Sequence, residues 1–313
     1  MKTVFFTLRP PVGSYGGGAF FVKNMSKFLT QNGFRVVYDL IPNIDILFII
    51  DPRRDKYNRY SIDDIIKYKW KNPNVKIIHR VNECDIKRKV HIGIENLILR
   101  AMITSDMVVF VSNWLKEYYI TKYRFNVSST YILNGVDRNV FYEKIPDLTF
   151  LEGRKLRLIT HHWSNNYLKG FDIYNAIDKL LDSRDDFEFI YVGNYNREYK
   201  PKNIKLIPPK SGVELGNIIR SCDVYITATR NEPGAMHYLE GMSCGLPVLY
   251  HSGGGGASEI CNISGEEYND ISTFLKKLEL VKMNYDSYVK KIKYDFLNSK
   301  RCSLQYYELI NSL

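Results

Sequence analysis

Two glutamates, Glu232 and Glu240, stand eight residues apart in Asn231-Glu-Pro-Gly-Ala-Met-His-Tyr-Leu-Glu240-Gly-Met-Ser-Cys-Gly-Leu-Pro-Val-Leu. The apolar run Asp223–Thr227 before them reads as a strand. Pro233 and Gly234 break the chain, and the pattern predicts a helix over Ala235–Cys244, ended by Gly245, with Pro247 opening another strand. A helix that starts at such a turn presents unpaired N–H groups and a partial positive charge, which suit a phosphate. Glu232 then sits in the loop and Glu240 inside the helix, both able to face the strand ends. Hydrolases that work through two carboxylates flank the scissile bond from two sides. Two glutamates on one loop and its helix serve one ligand instead.

The segments around this motif explain how it is positioned. Short apolar stretches alternate with longer amphipathic ones. Candidate strands are Thr3–Leu8, Arg35–Tyr38, Asp45–Ile50, Val75–His79, Met107–Val111 and Thr130–Leu133, followed by Lys155–Thr160, Glu188–Val192, Lys205–Ile207, Asp223–Thr227 and Pro247–Tyr250. Nearly continuous Val, Ile and Phe is what a parallel sheet buried on both faces requires. Helical patterns over Ala19–Gln31, Ile86–Met102, Phe171–Leu181 and Val213–Arg220 separate them, and Tyr285–Leu313 is helical in pattern and carries no strand. Two β/α series predict an α/β protein of two doubly wound, Rossmann-like domains facing a cleft, with functional loops at the strand carboxyl ends. The polar stretch Glu143–Gly153 divides residues 1–148 from residues 149–313, and the last helix is free to pack back on the first domain.

The glutamate segment resembles the family-4 retaining glycosyltransferases of GT-B fold. Their signature is a glutamate, seven residues and a second glutamate, set in E-P-x-G and L-E-G-M-x-C-G-x-P-V; nearly every fixed position is matched here. The resemblance implies a nucleoside-diphosphate sugar as co-substrate, with Glu232 on sugar hydroxyls and Glu240 on the ribose. It also places the backbone of Gly234, Ala235, Met236 and His237 at the diphosphate or sugar. Lys169, in Tyr-Leu-Lys-Gly-Phe-Asp, falls where family members put an ammonium on the diphosphate, to stabilise the leaving group.

In the first half, Pro11-Val-Gly-Ser-Tyr-Gly-Gly-Gly18-Ala resembles the loop that related enzymes place beside donor phosphate and acceptor. Gly17 and Gly18 are donor-side candidates there, and Tyr15 is an acceptor-side one. His79 resembles the family's histidine against the transferred sugar, making His79, Lys169 and Glu232 the catalytic candidates. Arg80, Asn82 and Asp85 are candidates for acceptor or sugar contacts. One position departs from the family: six residues before Lys169, where a second cation is common, this chain has Trp163. His161, His162, Ser164 and Asn165 are the nearby groups able to donate in its place, and of these His162 and Ser164 are taken as donor-binding.

Composition narrows the classes. Of 313 residues, 45% are hydrophobic and 14% aromatic, enough for two packed cores and against disorder. The longest apolar runs, Ile46–Ile50 and Met107–Val111, fall far short of the roughly 20 residues that span a bilayer. The opening segment reads as a strand rather than a signal peptide, so a cytoplasmic protein is expected. Five scattered cysteines without a CxxC pair suggest neither zinc nor a disulfide framework. No DxD triplet is present, and no metal is expected. The formal charge of +10 is concentrated in residues 1–153, with 23 Lys and Arg against 15 Asp and Glu. That suits an acidic or lipid-linked acceptor, or peripheral contact with an anionic membrane. The expectation is a metal-independent retaining glycosyltransferase acting on a hydroxyl of a glycan, a lipid-linked acceptor or a small molecule. Two alternatives stand beside it: a catalytically silent nucleotide-sugar-binding partner subunit, and a nucleic-acid-modifying glycosyltransferase. The second is disfavoured because basic and aromatic residues do not interleave.

Overall fold

The computed structural model describes residues 1–11, 16–88, 92–124 and 126–313. It divides into two compact units, one of Met1–Asp85, Val90–Asn134 and Ser299–Leu313, the other of Ile86–Lys89 and Gly135–Asn298.

The strands of the first unit are β1 (Thr3–Phe6), β2 (Arg35–Val37), β3 (Ile46–Ile49), β4 (Lys76–Val81), β5 (Met107–Phe110) and β6 (Ser129–Tyr131). They pair in parallel in the order β2-β1-β3-β4-β5-β6. Side chains alternate across a strand, so each strand feeds two cores. Val4, Phe6 and Phe48 pack with the helix Gly17–Gln31 and with Cys302, Tyr306 and Ile310 of the helix Ser299–Ser312. Phe5, Leu47 and Ile49 pack on the opposite face with Ile62 and Ile65 of the helix Ile62–Lys71. Burial on both faces is why these strands read as unbroken apolar runs.

The strands of the second unit are β7 (Leu156–His162), β8 (Phe187–Gly193), β9 (Lys205–Ile207), β10 (Val224–Thr227), β11 (Val248–His251) and β12 (Gly265–Tyr268). Their order is β12-β11-β10-β7-β8-β9, again all parallel. The chain winds outward from β7 through β8 and β9, then returns to the other side of β7 with β10. The switch point of the sheet therefore lies between β7 and β10. In doubly wound sheets the loops that leave such a pair diverge and open a ligand crevice.

The structure corrects two local expectations and adds a strand. The helix expected over Ile86–Met102 is a 3-10 turn at Asp85–Lys87 and a helix at Ile94–Thr104, which starts from Gly93 in a left-handed conformation, φ 68°. The helix expected from Ala235 begins at His237 and runs only to Ser243. Strand β12, Gly-Glu-Glu-Tyr, lacks the apolar run that marks its neighbours, because it lies at the sheet edge beside β11 alone.

One glycine fixes how the loop after β7 meets β10. Gly170 has φ 95°, and a Cβ there would lie 2.2 Å from the Cβ of Ala228. Gly153, φ 107°, has open space around the same atom. Left-handed strain alone makes Gly153→Ala cost about 1–2 kcal/mol. Gly170→Ala adds a clash worth a further ~1–3 kcal/mol, measurable by denaturant unfolding. Equal losses at the two positions would contradict this packing.

Candidate functional site

The two loops that leave the switch point carry the candidate residues Lys169 and Glu232. After β7 the chain passes Trp163 and Ser164 to Asn166, whose side chain accepts the Leu168 amide at 3.2 Å and caps the turn Tyr167–Lys169. Lys169 is thus delivered at the end of a turn locked by Gly170. After β10 the chain reaches Asn231 in a left-handed conformation, φ 51°. The loop after β11 then holds it: Asn231 N donates to Gly253 O at 2.8 Å, and Gly256 N donates to Glu232 O at 2.9 Å. Gly255 runs beside Glu232 so closely that a Cβ would lie 2.6 Å from its carbonyl oxygen. The glycine run Gly253–Gly256 is the clamp that sets the backbone of Glu232.

These two loops bring Lys169 Nζ within 2.5 Å of Glu232 Oε2, with side chains only 15% and 12% exposed. Burial pushes the Glu232 carboxyl up, but the charges of Lys169, Lys87 and Arg88 more than offset it and hold the group below its ordinary value. The glutamate is therefore ionised at neutral pH. Arg230 ties the same loops a second way. Its amide donates to Leu168 O at 2.9 Å, and its guanidinium grips Asp172 with two bonds of 2.8 and 2.7 Å. A pocket of about 120 Å³ opens here, lined by Lys87, Arg88, Ser164, Asn166, Leu168, Lys169, Thr229, Arg230 and Glu232. Ser164 Oγ is engaged locally, accepting the Asn166 amide at 3.2 Å.

Glu240 lies on the helix His237–Ser243, with Oε2 2.6 Å from His161 Nε2. The other ring nitrogen, Nδ1, is 2.9 Å from the Tyr225 hydroxyl, which accepts the His161 amide at 3.1 Å. An ionised carboxylate can only accept, so at this short contact the ring proton on Nε2 is donated to Glu240. Among the described residues, the contact that holds this carboxylate is made through Oε2.

His162 and His237 are buried and supply no charge. His162 Nε2 lies 2.9 Å from the Tyr174 hydroxyl and His237 Nε2 lies 2.9 Å from Thr227 Oγ1, with the two rings edge to face at 4.7 Å. Burial holds both imidazoles well below their ordinary pKa, and the charge on Lys169 adds to the effect. His162 therefore does not replace the cation absent at Trp163. Gly234, Ala235 and Met236, just ahead of the helix, are partly exposed.

In the first unit, Gly17 and Gly18 open the helix Gly17–Gln31, and Tyr15 lies outside the described residues. A Cβ on Gly18 would lie 3.7 Å from Asn82 Nδ2, so these two candidates meet. His79 is 1% exposed, and burial lowers its pKa to about 3. It is a neutral ring, with no hydrogen-bond partner at Nδ1. Arg80 points to the opposite face of β4. Its guanidinium lies over Phe21 at 4.3 Å and donates to Asn134 Oδ1 at 2.8 Å. Asp85 is buried and accepts the Ile94 amide at 3.2 Å, which starts the next helix. Arg80 and Asp85 thus have structural partners, and His79, Arg80 and Asn82 all border one small cavity with Ile50 and Asp51.

Sequence reasoning left out Tyr225, Thr229, Arg230 with Asp172, and the pair Lys87–Arg88. Tyr225 and Thr227 share one face of β10, so a two-residue polar periodicity in an apolar strand was an available signal. For Arg230 and Asp172, 58 residues apart, the local sequence carries no signal. Among the described residues no group of three or more His, Cys, Asp or Glu is placed to hold a metal ion, and no helix is long and apolar enough to cross a membrane.

Neutral buried imidazoles set a pH dependence. The unfolded chain protonates histidine below about pH 6.5, while the folded chain keeps His79, His162 and His237 neutral to much lower pH. Their stability contribution is full above that value and falls by about 1.4 kcal/mol per pH unit for each ring as pH drops below it. Replacing His162 and His237 by glutamine flattens the decline of melting temperature between pH 7 and 5. Parallel curves for wild type and variant would show that the rings accept protons in place.

Residues 169–266, which hold Lys169, Glu232 and Glu240, match the family model described as glycosyl transferases group 1. An uncharacterized glycosyltransferase of Methanocaldococcus jannaschii is 25% identical over 171 residues, a match covering 48% of this chain and 48% of that protein. The chain thus spans about half the length of this relative. Among solved structures, HepE of Anabaena in complex with UDP superposes with a TM-score of 0.73 at 14% identity, covering 100% of both chains. The sucrose-phosphate synthase of Thermosynechococcus elongatus superposes with a TM-score of 0.71 at 12% identity, covering 99% of this chain and 98% of that one. The fold is accordingly that of the GT-B glycosyltransferases, and residues 169–266 are similar to the group 1 glycosyl transferases.

Proposed function

We propose that this protein is a metal-independent, retaining glycosyltransferase that moves a sugar from a nucleoside-diphosphate sugar to a hydroxyl acceptor. The observation that carries the reading is the Lys169–Glu232 pair at the switch point, within the segment that matches the group 1 transferases. Support for a nucleotide-sugar donor comes from HepE, which has been solved with UDP and with UDP-glucose.

Each residue then has a defined task. The ammonium of Lys169 has three donors, one of them on Glu232, and the others meet the diphosphate as negative charge builds on it. Glu232 keeps Lys169 aimed and accepts a hydroxyl of the transferred sugar with its remaining capacity. Glu240, held by His161, accepts the ribose hydroxyls through Oε1. The bond from the anomeric carbon to the phosphate oxygen breaks, and its electrons pass to that oxygen. The acceptor hydroxyl oxygen bonds to the anomeric carbon on the same face, and its proton goes to the departing phosphate. A cation on the diphosphate serves where other transferases use a divalent metal. His79 and Asn82 are the first unit's candidates toward the acceptor. A glycan or lipid-linked acceptor suits the basic first half of the chain.

A second reading, a nucleotide-sugar binder without turnover, is favoured by one feature. Trp163 leaves the diphosphate without the second cation usual in similar enzymes.

Incubation with a panel of nucleotide sugars and assay of nucleoside diphosphate release separates the two. Turnover that persists in a chelator supports the transferase without metal, and tight donor binding with no release sinks it. Lys169→Ala lowers kcat by roughly a hundredfold or more, the scale of losing one preorganised donor at the transition state. Near-wild-type kcat would place the diphosphate elsewhere. His161→Phe removes the bond that orients Glu240 and weakens nucleoside diphosphate binding by roughly tenfold, the worth of one charged hydrogen bond. Affinity for inorganic pyrophosphate stays as it was, and a loss there would contradict the ribose role.

A further inference from the structure

We propose that Lys87 and Arg88 form a second cationic clamp on the donor's diphosphate, taking over at a different point of the fold the charge that Trp163 does not supply. This rests on the donor reading above.

Three observations meet at one pocket. First, the main chain of this segment is fastened to both site loops. Asn166 Nδ2 donates to Lys87 O at 2.7 Å, and Asn231 Nδ2 donates to Ile86 O at 3.2 Å. The two asparagines therefore serve the segment: Asn166 also caps the turn that delivers Lys169, and Asn231 is the left-handed residue before Glu232.

Second, the lining of the pocket carries four cations, Lys87, Arg88, Lys169 and Arg230, with Glu232 paired to Lys169 and Asp172 paired to Arg230. Lys87 and Arg88 are near enough that their charges act on that carboxyl together with Lys169. Such a lining favours an anion of more than one charge. Third, Thr229 Oγ1 is buried at the same pocket, 4% exposed, with no hydrogen-bond partner. A buried hydroxyl without a partner is costly, and a ligand oxygen would satisfy it.

Trp163 itself offers nothing equivalent. Its carbonyl accepts from Asn194 Nδ2 at 2.8 Å, and its side chain is 45% exposed and uncharged.

Calorimetric binding of UDP, GDP and ADP, with uridine, guanosine and adenosine as uncharged controls, tests the clamp. The proteins compared are wild type, the double variant Lys87→Ala/Arg88→Ala, and the charge-keeping Lys87→Arg/Arg88→Lys. The alanine pair weakens binding of the preferred nucleoside diphosphate by roughly tenfold to a hundredfold, as loss of one or two charge-assisted bonds requires. The matching nucleoside binds as before, and the charge-keeping pair stays within a few-fold of wild type. Unchanged nucleoside diphosphate binding overturns the clamp, as does an equal loss for the nucleoside. If only a uronate-bearing sugar nucleotide is weakened, the cations read a carboxylate on the sugar, and the diphosphate assignment is overturned. A wild type that binds nucleoside diphosphate through this pair but turns over no donor sinks the enzyme reading alone. A wild type that binds none of the three sinks both.

Discussion

The second unit is organised around one contact, the buried ion pair of Lys169 and Glu232. Its partners are 63 residues apart in sequence and stand on loops that leave the two strands flanking the switch point. Burying two charges costs several kcal/mol per ion, and the attraction between them offsets this only when geometry is tight and other polar groups are satisfied. The surroundings meet that condition by several independent devices. Gly170 lets the lysine turn lie against Ala228, the glycines after β11 grip the backbone of Glu232, and Arg230 ties the two loops together through Asp172. Together they decide where the ammonium and the carboxylate stand.

Beneath the pair lies a layer of polar groups that are buried without being charged. His162 and His237 are kept neutral by burial, and they pack edge to face with hydroxyl groups at their nitrogens. His161 differs. It is strung between Tyr225 and Glu240, so its proton has one direction to take and the carboxylate one orientation. A site of this kind stays rigid because each member is held by a neighbour, and rigidity is what lets fixed charges act on a transition state without reorganising. The cost is borne in acid, where unfolding lets imidazoles take up protons that the folded core refuses.

Much of the fold was legible because apolar runs in a parallel sheet are long and uninterrupted. β12 was the exception, since an edge strand with two glutamates has no such run. The helix expected over Ile86–Met102 failed for a related reason. Apolar spacing continues through Ile86, but Gly93 takes a left-handed conformation and resets the start to Ile94. At the site, the positions of Glu232, Glu240 and Lys169 could be read from motif context, because turn residues and glycines surround them. Their partners could not. Glu240 is joined to His161 across 79 residues, and Arg80, next to His79, turns into the core on Phe21 because alternate residues of a strand face opposite ways. Trp163 was visible as a missing charge, while the nearness of Lys87 and Arg88 to Glu232 depends on a fold that brings distant segments to one pocket.

The most direct measurement is a crystal structure of the protein with its preferred nucleoside diphosphate bound. The account predicts diphosphate oxygens within hydrogen-bond distance of Lys169 Nζ, ribose hydroxyls on Glu240, and Lys169 still beside Glu232. A nucleotide bound away from the loops after β7 and β10, with the Lys169–Glu232 pair untouched by it, would contradict the account.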